Sequence, residues 1–179
     1  MEDPKHPMKE IIRGRVWKFG DNITTTDITP GELFRGAGGQ WPKPADIVFA
    51  ALRPEWKDQV QSGDCIVAGL NFGCGSHRAG ANDVMAQFQI GCIVADSIAR
   101  IYYRTAIAIG FPAVVCPGVS QIFAEGDTLE LNIRTGFVQN LTTGKSLQGK
   151  AYPPQLLEIL MGGGMMPLLV KKALAMAST

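Results

Sequence analysis

Three short apolar runs constrain this chain more than any other feature: residues 64–69 (Asp-Cys-Ile-Val-Ala-Gly), residues 91–95 (Gly-Cys-Ile-Val-Ala) and residues 111–116 (Phe-Pro-Ala-Val-Val-Cys). The middle run has no polar side at all, so both of its faces must be covered, as they are for a strand in a parallel sheet. The segments between the runs have a helical period instead. Ala81, Val84, Met85 and Phe88 fall at i, i+3, i+4, i+7, and Ile98, Ile101, Tyr102, Thr105, Ala106 and Ile109 follow the same spacing. Asp96-Ser97 reads as the start of that second helix, and Gly110 with Pro112 as its end. Strand, helix, strand, helix, strand in this order predicts a parallel sheet with right-handed crossovers and helices on both faces.

The flanks add to that core. Residues 11–19 alternate as a strand, with Ile12, Val16, Trp17 and Phe19 apolar, and end at the turn Gly20-Asp21-Asn22. Residues 47–56 are expected to hold a short helix with Val48, Ala51 and Leu52 inward, broken by Pro54. Past Pro117, residues 128–133 and 137–141, separated by Gly136, and a further strand after Thr143-Gly144-Lys145 read as an antiparallel meander. Pro153-Pro154 opens a helix through Met161, Gly162-Gly163-Gly164 breaks it, and residues 165–176 resume it. Met161, Met165 and Met166 are expected to be packing filler rather than a partner surface. The fold class is therefore α/β: a mainly parallel sheet flanked by helices, with additional antiparallel strands, in a single domain over residues 1–179.

Composition excludes several functions. With a formal net charge of +1 and no run of Lys or Arg, neither nucleic acid nor an anionic membrane is indicated as a partner. The opening Met1-Glu2-Asp3-Pro4-Lys5-His6 is polar, and no stretch approaches the ~20 apolar residues of a spanning helix, so a cytoplasmic location is expected. Cys65, Cys74, Cys92 and Cys116 form no Cys-x-x-Cys unit and read as reduced thiols, three of them within apolar strands. With only His6 and His77 besides, no metal site is expected on this chain.

Chemistry concentrates in residues 71–78, Asn-Phe-Gly-Cys-Gly-Ser-His-Arg, which place Ser76 between a strand and a helix. There the hydroxyl can cap the helix, and neighbouring free N–H groups can face an anion. A second candidate is the aperiodic loop of residues 23–39, with Thr24, Thr25, Thr26, Asp27, Thr29, Pro30 and Arg35, because loops of this length in compact domains are usually functional or disordered. Taken alone, Gly73-x-Gly75 with Asp96 some 20 residues on also fits a dinucleotide site, except that Arg78 stands where the third glycine belongs.

Residues 73–78 (Gly-Cys-Gly-Ser-His-Arg), 92–104 (Cys-Ile-Val-Ala-Asp-Ser-Ile-Ala-Arg-Ile-Tyr-Tyr-Arg) and 108–112 (Ala-Ile-Gly-Phe-Pro) together resemble the swivelling small subunit of the aconitase superfamily, nearest to 3-isopropylmalate dehydratase and homoaconitase small subunits. Residues 14–22 look like that family's first strand and residues 140–144 like its late hairpin, so the resemblance covers nearly the whole chain. It implies a swivelling β/β/α domain and a hydro-lyase that dehydrates and rehydrates a malate-like 2-hydroxy acid. In this family the [4Fe–4S] cluster is held by cysteines of a separate large subunit, and the small subunit closes the site from the other side.

The resemblance also implies roles. Ser76 matches the catalytic base, whose alkoxide must be stabilised by surrounding N–H groups. Arg78 matches the arginine that grips a substrate carboxylate with a planar two-pronged fork. Thr25-Thr26-Asp27 resembles the Thr-Thr-Asp of aconitases, and Phe34-Arg35-Gly36 carries a second carboxylate-binding arginine. The resulting set is Ser76 and Asp27 as catalytic groups, with Arg78, Arg35, His77, Thr26 and Gly75 against the substrate; for Asp27 and Arg35 a capping role and a solvated loop charge are the plainer alternatives. Departures surround the substrate. Isopropylmalate-type chains read Gly-Cys-Gly-Ser-Ser-Arg-Glu-His, whereas His77, Ala79 and Gly80 stand here, and the loop that reads the substrate side chain is Gly31-Glu32-Leu33-Phe34-Arg35. A different acid of the same class, or a non-catalytic partner subunit, are the alternatives to the leucine-pathway substrate.

Overall fold

The computed structural model describes residues 8–30, 43–76 and 80–177. Seven strands form one sheet: β1 (Ile11–Lys18), β2 (Cys65–Ala68), β3 (Ile93–Ala95), β4 (Ala113–Val115), β5 (Thr128–Asn132), β6 (Phe137–Asn140) and β7 (Ser146–Gln148). Their spatial order is β4-β3-β2-β1-β5-β6-β7. β1 to β4 are parallel, with Val16 opposite Cys65, Ile66 opposite Ile93, and Ile93 opposite Ala113. β5, β6 and β7 add on antiparallel, Gly14 of β1 lying opposite Leu129. The alternation along the apolar runs feeds two cores. Ile66, Ala68, Ile93 and Ala95 pack on one face with Trp17, Met85 and Tyr102; Cys65, Val67, Cys92 and Val94 pack on the other with Leu129, Val138 and Leu160. That two-sided burial is why the runs carry no polar side.

Eight helices are described: α1 (Thr25–Ile28), α2 (Pro44–Ile47), α3 (Trp56–Gln59), α4 (Gly80–Gln87), α5 (Arg100–Ala108), α6 (Val119–Ile122), α7 (Pro154–Met161) and α8 (Met165–Ala177). Ala81, Val84 and Met85 of α4 are buried as their spacing requires. Three local expectations are corrected. Residues 47–56 are not one helix: α2 stops at Ile47, Leu52 is exposed, and buried Phe49 takes φ +51. The cause is an aromatic cluster in which Phe49 meets Phe19 at 4.4 Å and Trp56 at 5.0 Å, which turns the chain inward before Pro54. Asp96 and Ser97 do not cap α5, whose N-cap is Ala99; Asp96 accepts from the Ser120 hydroxyl at 2.5 Å, and Ser97 Oγ accepts from the Asn71 N–H at 2.8 Å. Ile101, placed inward by period, is exposed, because Tyr102, Ala106 and Ile107 form the buried face of α5.

Arg15 and Asp64 join β1 to the turn before β2. Asp64 is buried and accepts from Arg15 at 2.6 Å, the Trp17 indole at 2.8 Å and the Gln61 N–H at 3.0 Å. Burial opposes its ionisation, but these three donors outweigh it and hold the carboxyl below its ordinary range. Among the described residues no single helix is long and apolar enough to cross a membrane.

Candidate active site

Because β1, β2 and β3 are parallel, the chain leaves all three at one end of the sheet, and the segments that follow them meet there. After β1, Asn22 donates its N–H to Leu70 O at 2.7 Å, and Asp21 Oδ1 accepts from Leu70 N at 2.7 Å. Gly73 N donates to Ile23 O at 2.7 Å and Thr25 N to Cys74 O at 2.9 Å, so the first two segments continue side by side past their strands. The third joins through Phe72 N to Ser97 O at 3.0 Å and Ala99 N to Phe72 O at 2.8 Å. Asn22 and Asn71 hold left-handed backbone, φ 57 and 60, and Asn71 Nδ2 donates to Asn22 Oδ1 at 2.9 Å. Asparagine is the residue that tolerates this conformation best after glycine.

Glycine is required at Gly73 for two reasons. Its φ is +75, and a Cβ there would run into the ring of Tyr102. Tyr102 is wholly buried, packs edge-on against Phe72 at 5.3 Å, and supports the turn from below. Burial raises its phenol far above the ordinary tyrosine range.

On this base, Ser76 ends the second segment with its side chain exposed. Its carbonyl accepts from the buried Thr25 hydroxyl at 2.7 Å, while its own hydroxyl has no partner among the described residues. Gly75, φ +89, precedes it, with only Thr24 near the position of an added Cβ. Asp27 lies in the third position of α1 and closes a capping box: Oδ2 accepts from Thr24 N and Thr24 Oγ1, both at 2.7 Å, and Thr24 Oγ1 accepts from Asp27 N at 3.0 Å. Thr26 sits half-buried on the same turn.

The structure thus brings Ser76, Gly75, Thr26 and Asp27 to one end of the sheet. His77, Arg78 and Arg35 lie outside the described residues, as does the proposed capping of a helix by Ser76, since α4 is described only from Gly80. Sequence reasoning missed Asp21, Asn22, Asn71 and Ser97, whose one legible signal was the cluster of Asx and Ser residues just past strand ends. Asp96, the acid of the dinucleotide alternative, has its carboxylate taken by Ser120.

A cleft of about 1070 Å³ opens elsewhere, at the amino ends of the parallel strands between Ile12, Gly63, Gly91 and Pro112. Chemistry is not expected there, because open parallel sheets bind ligands at the carboxyl ends. The thiols do not fit an iron–sulfur cluster, which needs grouped thiolates. Cys65 in β2, Cys92 just before β3 and Cys116 just after β4 are buried, and neighbouring Cys65 and burial push the Cys92 thiol well up. Burial, with Asp96 adding to it, raises Cys116 to about 11.

Residues 35–117 match the family model of the aconitase C-terminal domain. The chain is 45% identical over 168 residues to the isopropylmalate/citramalate isomerase small subunit of Methanocaldococcus jannaschii, covering 92% of this chain and 97% of that protein. It belongs to the family of aconitase-type dehydratase small subunits. The methanogen homoaconitase small subunit of Methanothermobacter thermautotrophicus is 41% identical, over 88% of this chain and 90% of that one. The crystal structure of 3-isopropylmalate dehydratase (leuD) from M. jannaschii superposes with a TM-score of 0.83 at 31% identity, covering 94% of this chain and 98% of that one. The family is that of a hydro-lyase complex, and the mixed sheet found here is its fold.

Proposed function

We propose that this chain is the small subunit of a two-subunit hydro-lyase acting on a malate-like 2-hydroxy di- or tricarboxylic acid, with 3-isopropylmalate as the first candidate. One observation carries the reading: Ser76 presents an exposed hydroxyl, unpartnered among the described residues, on a turn whose backbone is fixed by Thr25 and by the Gly73–Tyr102 contact. A base that must meet a substrate carbon needs that combination of a free oxygen and a held backbone. In this reading Ser76 Oγ takes the proton from the carbon next to a carboxylate and returns it in the reverse direction. Arg78 and Arg35 hold carboxylates, and His77, Thr26 and Gly75 shape the pocket around them. Asp27 contributes from within its capping box, fixing Thr24 and Thr25 and through them the Ser76 carbonyl. The [4Fe–4S] cluster is assigned to the large partner subunit, because three of the four cysteines of this chain are buried, Cys74 alone being half-buried, and no three metal-binding side chains come together among the described residues.

Relatives named for isopropylmalate with citramalate and for homoaconitate stand at 45% and 41% identity, so identity alone does not choose the acid. The test is co-purification with a cluster-bearing partner, followed by a screen of 3-isopropylmalate, citramalate and homoaconitate-type acids. Turnover on at least one is expected, with none from the isolated chain and no iron or sulfide bound to it. Silence of the complex on every 2-hydroxy diacid would establish the non-catalytic alternative, and a stoichiometric cluster on the single chain would overturn the two-subunit arrangement. Replacing Arg78 by Lys keeps the charge but loses the fork, and is expected to raise the apparent KM.

A further inference from the structure

Helix α8 is turned the wrong way round for a surface helix. Such helices bury an apolar stripe and show their charges to water. Here the side facing the body is marked by half-buried Leu168 and by Lys172, whose Nζ meets Glu158 of α7 at 2.9 Å. The outward side is apolar: Met166 is 68% exposed, Leu169 51%, Val170 54% and Met176 80%. At 100° per residue, Met166, Leu169, Ala173 and Met176 fall on one line with 3-4-3 spacing, the seam of two packed helices. The expectation of packing filler is thereby corrected, since Met165 and Met166 are both exposed. A 13-residue helix is marginal in water by itself, and α8 rests on α5 and α7 with most of its apolar side chains left in solvent.

We propose that the seam is the interface between two copies of this chain, paired about a twofold axis through α8. A stripe with the same chemistry along its length is complementary to itself, which is what an isologous contact needs. Its exposed apolar side chains present on the order of 500 Å² per copy, so two copies that cover the whole stripe reach the roughly 1,000 Å² that a specific interface has to clear. Charge permits the contact, because α8 has no acidic residue, Lys171 lies on the side away from the seam, and Lys172 is neutralised by Glu158. A lipid surface is a poorer fit, because an interfacial helix needs free lysines flanking its apolar face. Location permits it too. The Gly162–Gly164 break that starts α8 backs onto Ala108 and Gly110, where α5 ends, at the opposite end of the parallel strands from Ser76. A twofold pairing anchored there leaves the Ser76 end to a cluster-bearing subunit.

The test uses the full chain and needs no turnover. Sedimentation equilibrium across micromolar concentrations is expected to give the mass of two chains, and the double variant Met166→Glu with Leu169→Glu to give one, with an unchanged circular dichroism spectrum. Ala173→Cys, on the seam, is expected to form a disulfide-linked dimer under mild oxidation, whereas the parent chain does not; this reading stands even if the double variant misfolds. A parent chain that is monomeric throughout overturns the proposal, as does a dimer that survives both glutamates. If the chain alone is monomeric and the glutamates instead block assembly with a cluster-bearing subunit, or if they abolish sedimentation with vesicles of anionic lipid, the seam belongs to that partner and the proposal fails.

Discussion

The parallel and antiparallel halves of the sheet use similar residues to opposite ends. In the parallel half, Asn71, Thr25 and Ser97 tie separate segments to one another at the end where the strands stop. In the antiparallel half, Asn140, Thr142 and Asp127 do comparable bonding, but it closes on itself: Asn140 Nδ2 donates to Asp127 Oδ2 and Ile122 O, and Asn140 Oδ1 accepts from Thr142 and Thr143. The difference follows from topology. Parallel strands discharge every loop at one end, so three loops must meet; a meander alternates ends, and each turn satisfies its own polar groups. Among the described residues, the first arrangement gathers three loops around an exposed hydroxyl that has no partner, at Ser76.

The comparison breaks most sharply if Ser76 is dispensable. Ser76→Ala in the reconstituted complex is expected to lower kcat on the order of 10²- to 10⁴-fold, with KM and thermal stability little changed. Near-full turnover at saturating substrate would leave the parallel end with no more chemistry than the meander. Next in size are two glycines with nearly the same backbone. Gly73→Ala combines φ +75 with collision against the Tyr102 ring and is expected to cost about 3 kcal/mol or more of stability, and activity with it. Gly144→Ala, φ +77 but in open space at a hairpin, is expected to cost only about 1 kcal/mol and leave kinetics untouched. Equal losses in urea unfolding would show that Tyr102 is not the support of the turn.

Asn140→Ala removes four hydrogen bonds from a buried site and is expected to cost about 2–3 kcal/mol, with unchanged turnover at neutral pH. It also shifts the acid limit. The Ala124 N–H and then Asn140 hold the Asp127 carboxyl below its ordinary range. A depressed carboxyl contributes stability that is present above its unfolded pKa of about 3.9 and is lost as pH falls through the folded value. Without Asn140 the folded value rises, so part of that stability disappears at every pH above it. Asp64, also depressed, is unaffected by the change and continues to set the acid limb in the parallel half. Urea midpoints measured between neutral and acid pH check both statements; an Asn140→Ala curve parallel to that of the parent would remove Asp127 from the account.

How much could be read beforehand also divides along this line. The strands were legible because burial on two faces leaves an apolar run, and the meander because its turns are local: Gly136 and Gly144 mark them in the sequence. The lacing of the loops was not legible, since Asn71 and Asn22 are 49 residues apart and no periodicity connects them. Ser97 looked like a helix start because it precedes an apolar period, yet it bonds backward to Asn71, and the period chose Ile101 along with Tyr102 and Ala106, where the structure buries Ile107 in place of Ile101. Of the site, Ser76 and Asp27 were placed by resemblance, but the capping box that occupies Asp27 depends on a backbone turn that residue identity alone does not specify. The methionines of α8 misled for a related reason. Composition reports that a residue is apolar, and only the structure reports which way it faces.

The finest test of the comparison is a matched pair of hydroxyl deletions. Thr25→Val keeps shape in a fully buried position but removes the donor to Ser76 O, whereas Thr142→Val removes the acceptor for Thr128 N in the meander. Each deletes one neutral hydrogen bond, Thr142→Val also losing the hydroxyl's weaker contact with the Asp127 carboxylate, and each is expected to cost about 1 kcal/mol. Their effects on rate must differ. The Ser76 carbonyl sits at an exposed turn and can be rehydrated, so the stability loss at Thr25 stays small, but the turn gains freedom at the residue whose Oγ has to meet a substrate carbon. Since a displacement of ~1 Å at a reacting group can cost up to about 10²-fold, partial loosening is expected to lower kcat by roughly tenfold, with KM nearly constant. Thr142→Val should leave both constants alone. Thr25→Ser, which restores the donor, is expected to recover most of the rate; if it does not, the bond to Ser76 is not what holds the turn in its working position.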